Sequence, residues 1–560
     1  MEAGAVEAGL PQVELDPNET CAVIGSEPIP AGSLRRLLVG KDDLDRGPQE
    51  MSTEELEREL NDPFATELLR KGRFPASGEE VLEALNEAVG SNHPLSEATQ
   101  QSFLVGEGTQ IAKDPSEEFD RNFRFVVTRG QGPDGPDFFL SVGKPGEVHA
   151  QVEVLAWDQN RGGFNFYRSG RGSESRQGAW IWAGNSRHAF DPDLRGKGPF
   201  ESHPSGNILM KELKIPWVHW ASPKAPVDER DFQAGDGRAT HPWFKNQNGA
   251  YALEDAVRPS INRWNRRRLE EINEAGTIDP IPLLEQILGS RNNRRHTVNL
   301  VSSPDSSASA VNAESLRLPE TFFVDADAIA ALAAPNFQLA RPPAFTAPGA
   351  LYKQALQKFE VAVREHDQGE VRFERAGDLH FAWVVPERAF EDVNLIAQLV
   401  SHPQVNLITR RLVVCLLMVD FPNPVFSTAR ADLLRHVPTE PVPAERWATF
   451  SQELGDKVAA AGAEASEDAA ERQFAELWQV GEEGLVQAAN ALLEPYFQKV
   501  SEQLQTEEGF DAYFRLAETR RTQVRGMRIK ESPLLFAETN LEDEELAMAR
   551  DGSVVERPGG

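Results

Sequence analysis

Cysteine is nearly absent: there are two in 560 residues, Cys21 and Cys415, far apart in the chain. That excludes a disulfide framework and a cysteine-built zinc site, and it fits a reducing cytosol. Basic residues are also short, 58 against 88 acidic ones, for a net charge of -30. Such an excess repels polyanions, so nucleic acid is not an expected partner, although a local basic pocket is compatible with it. No run of 18 uncharged apolar residues occurs, and the opening MEAGAVEAGLPQVELDPNET lacks a basic segment followed by an apolar one. The expectation is a cytoplasmic protein with no integral membrane segment.

What is present is ample apolar material, 40% of the residues, in a chain longer than one core comfortably serves. Residues 1–50 are acidic, with Gly and Pro, and read as a disordered arm. Within them Asp42-Asp43-Leu44-Asp45 has the look of a metal-binding aspartate cluster, but no apolar helix precedes it to hold the carboxylates together, so it reads as a solvated acidic turn. The interval 51–119 reads as a helical segment, because STEELERELNDPFATELLR (52–70) and GEEVLEALNEAV (78–89) repeat apolar residues every three or four positions.

From 120 to 301 the chain reads as a β-rich domain. FRFVVTR at 123–129, DFFLSVG at 137–143, VHAQVEVLAWD at 148–158, FNFYR at 164–168 and AWIWAG at 179–184 are short β-branched and aromatic runs between Gly, Pro and Asp turns. Close spacing favours an antiparallel sheet or partial barrel over βαβ units. Residues 250–274 then turn helical, interrupted at Pro259, with Arg263, Arg266, Arg267 and Arg268 on a basic face. The interval 302–349 reads as a linker, 350–540 as an α-helical domain, and 541–560 as a disordered tail. The fold class is therefore α+β: a β-rich antiparallel N-terminal half followed by an α-helical bundle.

The densest chemistry lies between Trp180 and Trp220, which holds four of the ten Trp and three of the eleven His, with a Gly196-Lys197-Gly198-Pro199 turn and the Lys211-Glu212 pair. A pocket wall is one reading of that mixture. His188, His203, His219 and His241 could ligate a metal through nitrogen, yet no HExxH or HxH spacing occurs, and a structural role is open for each.

A second set lies in the helical half. Glu391-Asp392 opens one helix, and Asp420 ends the apolar NLITRRLVVCLLMVD, where the helix dipole favours a cation. A positive group is expected beside it: Mg²⁺ would fit oxygen ligands, and a cap bonded to the FPNP turn is the alternative. Arg410-Arg411, with Arg515, Arg520, Arg521 and Arg525 near the C-terminus, would grip a diphosphate if they faced the same cavity, and are ordinary helix surface otherwise.

WIWAGNSRHAF…GKGPFESHPSGNILMKELKIPWVHW, AFEDV and LLMVDFPNP together resemble the noncanonical sesquiterpene cyclases of the fungal humulene-synthase type, over roughly residues 120–440. Like that family, the chain lacks a DDxxD at a helix end and an NxxxSxxxE on its late helices. The resemblance implies Mg²⁺ on Glu391, Asp392 and Asp420, with Val419 standing where a polar partner belongs. It implies a prenyl diphosphate substrate, farnesyl diphosphate foremost, held by Arg410, Arg411, Arg520 and Arg521. Trp217 and Trp220, with Phe381 and Trp383, would face the carbocation, while Asp420 serves ionisation. Two other classes stay open: a non-catalytic β-rich and helical binding or scaffold protein, and a His-ligated metal oxidoreductase. Chain length of the substrate, product and oligomeric state have no sequence signal.

Overall fold

The computed structural model describes residues 29–40, 46–106, 123–130, 132–143, 151–170, 177–203, 205–208, 235–248, 250–289, 298–301, 314–367, 370–376, 385–525, 537–542 and 544–557. Their architecture is α+β. A nine-stranded sheet fills the N-terminal half and helices dominate the rest.

Six strands form an uninterrupted antiparallel meander: β3 (Gln101–Gly106), β4 (Phe123–Arg129), β5 (Phe138–Val142), β6 (Val152–Asp158), β7 (Gly163–Ser169) and β8 (Ala179–Asn185). The five strands read from the sequence are all there. Three segments outside the meander complete the sheet. β1 (Ser33–Arg36) lies parallel to β8, with Ser33 opposite Ala179, and two-residue pairs at Gln49–Glu50 (β2) and Gln247–Asn248 (β9) close the edges. Part of the expected disordered arm is thus sheet. The Asp42–Asp45 cluster lies outside the described residues.

Both faces of the sheet are buried, and the period of two in the strands decides which residue goes where. Phe125, Val127, Phe138, Leu140, Trp180 and Trp182 point to one core, under helices α1 (Thr53–Glu59), α2 (Pro63–Glu67) and α3 (Gly78–Ala88). Val126, Phe139, Phe164, Phe166 and Ala183 point to the other, under helix α4 (Ala250–Ala275). Double coverage is the reason these strands read as nearly continuous apolar runs, unusual for an antiparallel sheet. The helix starts are capped as their sequences suggest: the side chains of Ser52, Asp62 and Ser77 accept from Glu55, Phe64 and Glu80 backbone N–H.

Asp62 does more than cap. Its carboxylate, with no exposed surface, also accepts from Asn165 Nδ2 and from the Tyr167 hydroxyl. Burial pushes its pKa up to about 6 against the pull of those hydrogen bonds. The folded state therefore holds a proton more tightly than an unfolded Asp near 3.9. The stabilisation is complete below that value and is lost as pH rises through about 6, so stability should fall by about 1 kcal/mol between pH 5 and 7. Denaturant midpoints across that range should show the drop, and Asp62→Asn should abolish it; an unchanged slope in the variant would assign the effect elsewhere.

Helix α4 is not interrupted at Pro259. The turn before β5 packs close beneath that point, where a Cβ on Gly135 would sit 2.3 Å from Ser260 Oγ. The helix buries Ile261 and Trp264 in the sheet core and Leu269 in a third, larger core. That core gathers helices α5 (Pro280–Leu288), α6 (Ala326–Ala331), α7 (Gly349–Lys358), α8 (Phe390–Leu399), α9 (Arg410–Leu417), α10 (Thr428–Asp432), α11 (Trp447–Ala463), α12 (Ala470–Trp478), α13 (Gly481–Gln503) and α14 (Glu507–Arg525). The interval expected as a linker differs in its described part. Ser315–Arg317 pairs with Thr346–Pro348, and Phe322, Phe323, Val324 and Phe345 are buried in this core. The serine-rich 302–313 lies outside the described residues. The expected tail differs too: Leu546–Met548 and Val554–Glu556 form a hairpin with Leu546 and Met548 buried.

Candidate functional site

The carboxylates singled out in the sequence fall in a charged seam that runs through the packed helices. Glu391 and Asp392 stand in the first turn of α8, where the dipole favours them, and only 1% and 2% of their surface is exposed. Asp392 Oδ1 accepts from Gln286 Nε2 of α5 at 3.0 Å. Arg268 of α4 donates to Gln286 Oε1 at 3.2 Å and stacks 4.3 Å over Phe190. Burial drives the Arg268 pKa down to about 10, and the charges of Asp392 and Glu391 oppose that loss. Asn265, one helical turn earlier, donates to Glu391 O and Asn394 Oδ1, both at 2.9 Å. Of the Arg-rich face of α4, Arg263 and Arg268 are buried, whereas Arg266 is half exposed and pairs with Asp134 at 2.8 Å.

The seam continues at Arg388. Its Nε donates to Asp325 at 2.6 Å, and its two Nη groups donate to Gln286 O at 2.6 Å and Ile287 O at 3.0 Å. Those carbonyls end α5 and have no helical partner of their own, so the guanidinium caps the helix while it pairs with Asp325.

Asp420 takes the left-handed conformation, φ 50°, just beyond α9. A short polar side chain tolerates that region. Its Oδ1 accepts from Asn423 Nδ2 at 2.7 Å, its Oδ2 from Ser427 Oγ at 2.6 Å, and its backbone N–H donates to Gln473 Oε1 at 2.9 Å. Buried guanidinium groups lie near it. Arg430, Arg520 and Arg557 all feel its charge, and burial holds each of their pKa values down. Arg430 donates to the carbonyls of Val419, Asp420, Asn423 and Pro424, so it ties the FPNP turn together.

The arginines expected to hold a diphosphate are not gathered. Arg410 donates to Leu332 O at 2.8 Å; Arg411 stacks 3.7 Å over Trp478 and donates to Gln452 Oε1 at 3.3 Å. Arg520 donates to Phe322 O and to Pro422 O, and Arg521 pairs with Glu518 one turn earlier on α14. Arg520 is within reach of the Asp420 charge. Arg515 pairs with Glu544.

Of the four histidines singled out in the sequence, the three described ones each hold a turn. His188 Nδ1 accepts from Asn185 N, His203 Nδ1 faces Asn207 O at 2.8 Å, and His241 Nδ1 accepts from Trp243 N while its Nε2 lies 3.0 Å from Glu79. Among the described residues no three of His, Cys, Asp and Glu come together as a metal group. Trp217, Trp220, His219, Lys211, Glu212, Phe381 and Trp383 lie outside the described residues. Also among the described residues, no helix is long and apolar enough to cross a membrane.

Sequence reasoning missed Arg388, Asp325, Gln286, Asn265 and Arg430. Only Arg430 had a local signal, lying ten residues after Asp420 with Ser427 between them as an N-cap. Compared with family models, with curated proteins and with solved structures, the chain matches none.

Proposed function

We propose that the chain is a non-catalytic binding or scaffold protein, in which a two-faced sheet is packed against a helical body. The observation that supports this reading is the engagement of the charged seam. The guanidinium groups of Arg388, Arg430 and Arg520 spend their donors on buried backbone carbonyls. The Asp420 carboxylate is occupied by Asn423 and Ser427. Groups committed to the core in this way hold elements together, and a diphosphate would have to displace those contacts before it could use them.

A class I-like terpene cyclase is the second reading, and one observation favours it. Glu391 and Asp392 are adjacent, buried and beside Arg268, which is an arrangement of two oxygen ligands and a guanidinium that Mg²⁺ and a diphosphate could use after rearrangement. Incubation with geranyl, farnesyl and geranylgeranyl diphosphates plus Mg²⁺, followed by analysis of volatiles, separates the two. The scaffold reading expects no hydrocarbon and no Mg²⁺-dependent thermal shift with inorganic diphosphate. A product lost in Glu391→Gln and Asp392→Asn would replace it with the cyclase. Stoichiometric Fe, Cu or Zn in the purified protein would point instead to the oxidoreductase.

A further inference from the structure

The C-terminal hairpin is held by groups that read its main chain. Asn423 Nδ2 donates to Met548 O at 2.9 Å, and Met548 N donates to Asn423 Oδ1 at 3.0 Å. One side-chain amide thus makes both bonds that a neighbouring strand would make. Thr519 Oγ1 donates to Glu544 O at 2.8 Å and the Tyr513 hydroxyl to Gly552 O at 2.7 Å. Alternate side chains point into the body: Leu546 and Met548 are buried with Ala547 half-buried between them, and the Tyr496 hydroxyl meets Met548 Sδ at 2.9 Å. Charges close both ends. Arg515 grips Glu544, Arg550 reaches Gln473 Oε1 at 3.0 Å and Glu476 at 3.2 Å, and Arg557 donates to Phe426 O at 2.9 Å. Main-chain bonds with pockets for every second side chain are how a groove recognises an extended peptide.

We propose that this groove, built from Asn423, Gln473, Tyr496, Tyr513 and Thr519, is a peptide-binding site. Its resident occupant is the chain's own segment 544–557, and its occupant in trans is the same segment of a second copy. The length of the tether leaves room for it: eleven residues separate Arg525 from Ala537 in the sequence, a contour of up to ~36–40 Å if extended. Exchange of an identical element keeps every contact, so its cost is little more than association itself. This site goes beyond the scaffold reading and stands whether or not the chain turns over a diphosphate.

The test uses the full chain with a protease site in place of residues 531–533. After cleavage, segment 534–560 is held by non-covalent contacts alone. A labelled synthetic peptide 534–560 in excess is expected to replace it, one per chain, and M548K in the peptide should weaken binding by at least tenfold. Two differently tagged uncut chains, incubated together at high concentration, should co-purify, and excess peptide should suppress that. A cut chain that takes up no peptide, or that binds the M548K peptide equally well, overturns the site. Peptide uptake without co-purification overturns the second copy as the occupant. Because the altered residue is in the peptide, the folding of the protein does not confound the comparison.

Discussion

Arg388→Met should lower stability by about 3–5 kcal/mol, the usual result of removing one partner from a buried ion pair. The side chains of Arg388 and Asp325 are 7% and 6% exposed, so the carboxylate left behind cannot be rescued by water. The same substitution strands Gln286 O and Ile287 O at the end of α5. An unpartnered buried carbonyl costs about 1–3 kcal/mol, so the loss has two separable sources. The double variant Arg388→Met, Asp325→Leu removes the stranded charge and should regain that part only. Urea midpoints on the wild type and both variants measure the division. A single variant as stable as the wild type would show that the seam holds nothing together.

Asp420→Asn separates the two meanings of that residue. As a metal ligand, Asp420 could lose its charge with folding intact, while turnover fell by on the order of 10² or more. The contacts observed predict the reverse. Asparagine tolerates the left-handed backbone at this position, so conformation adds little. Its NH₂ group, however, must face Asn423 Nδ2 or Ser427 Oγ, both of which now donate to the carboxylate. Three arginines also lose the charge that offsets their burial. The expected loss is about 2–4 kcal/mol, since a hydrogen bond to a charged group contributes about 1.5–3. Melting temperature and any activity per folded molecule should be measured together. A variant that melts as the wild type does and has lost a diphosphate-dependent activity would restore the metal reading.

Much of the fold was legible because period and burial agree. In β4 and β5 the alternation of Phe125, Val127, Phe138 and Leu140 against Val126 and Phe139 sorts the residues onto two faces, although the sequence alone could not say that both faces are covered. The late helices were legible from their spacing of three and four. The short elements were not. Leu546–Met548 is three residues long, and its alternation becomes a signal only once Asn423 is seen to pair with it. The interval 314–349 looked like a linker because its Pro and Ala content hides the fact that Phe322, Phe323 and Phe345 land in the large core. For the candidate site, the helix-end position of Asp420 pointed to a need for positive charge, and Glu391 and Asp392 stood out as a pair in a first helical turn. The partners were illegible because they come from distant segments: Asp325 is 63 positions from Arg388, and Gln286 is 106 from Asp392.

The parallel pairing of β1 with β8 carries a consequence for the chain as it is made. Ser33 emerges from the ribosome long before its partner Ala179. The meander β3 to β8 can zip up by local hairpins as it appears, whereas β1 must wait for the far side of that meander to exist. Until then β1 has no parallel partner, and its open edge is a template on which another nascent chain could add a strand. The first described strand to be synthesised thus waits for the last strand of the meander, and the time between the two is when the protein is most exposed to misassembly.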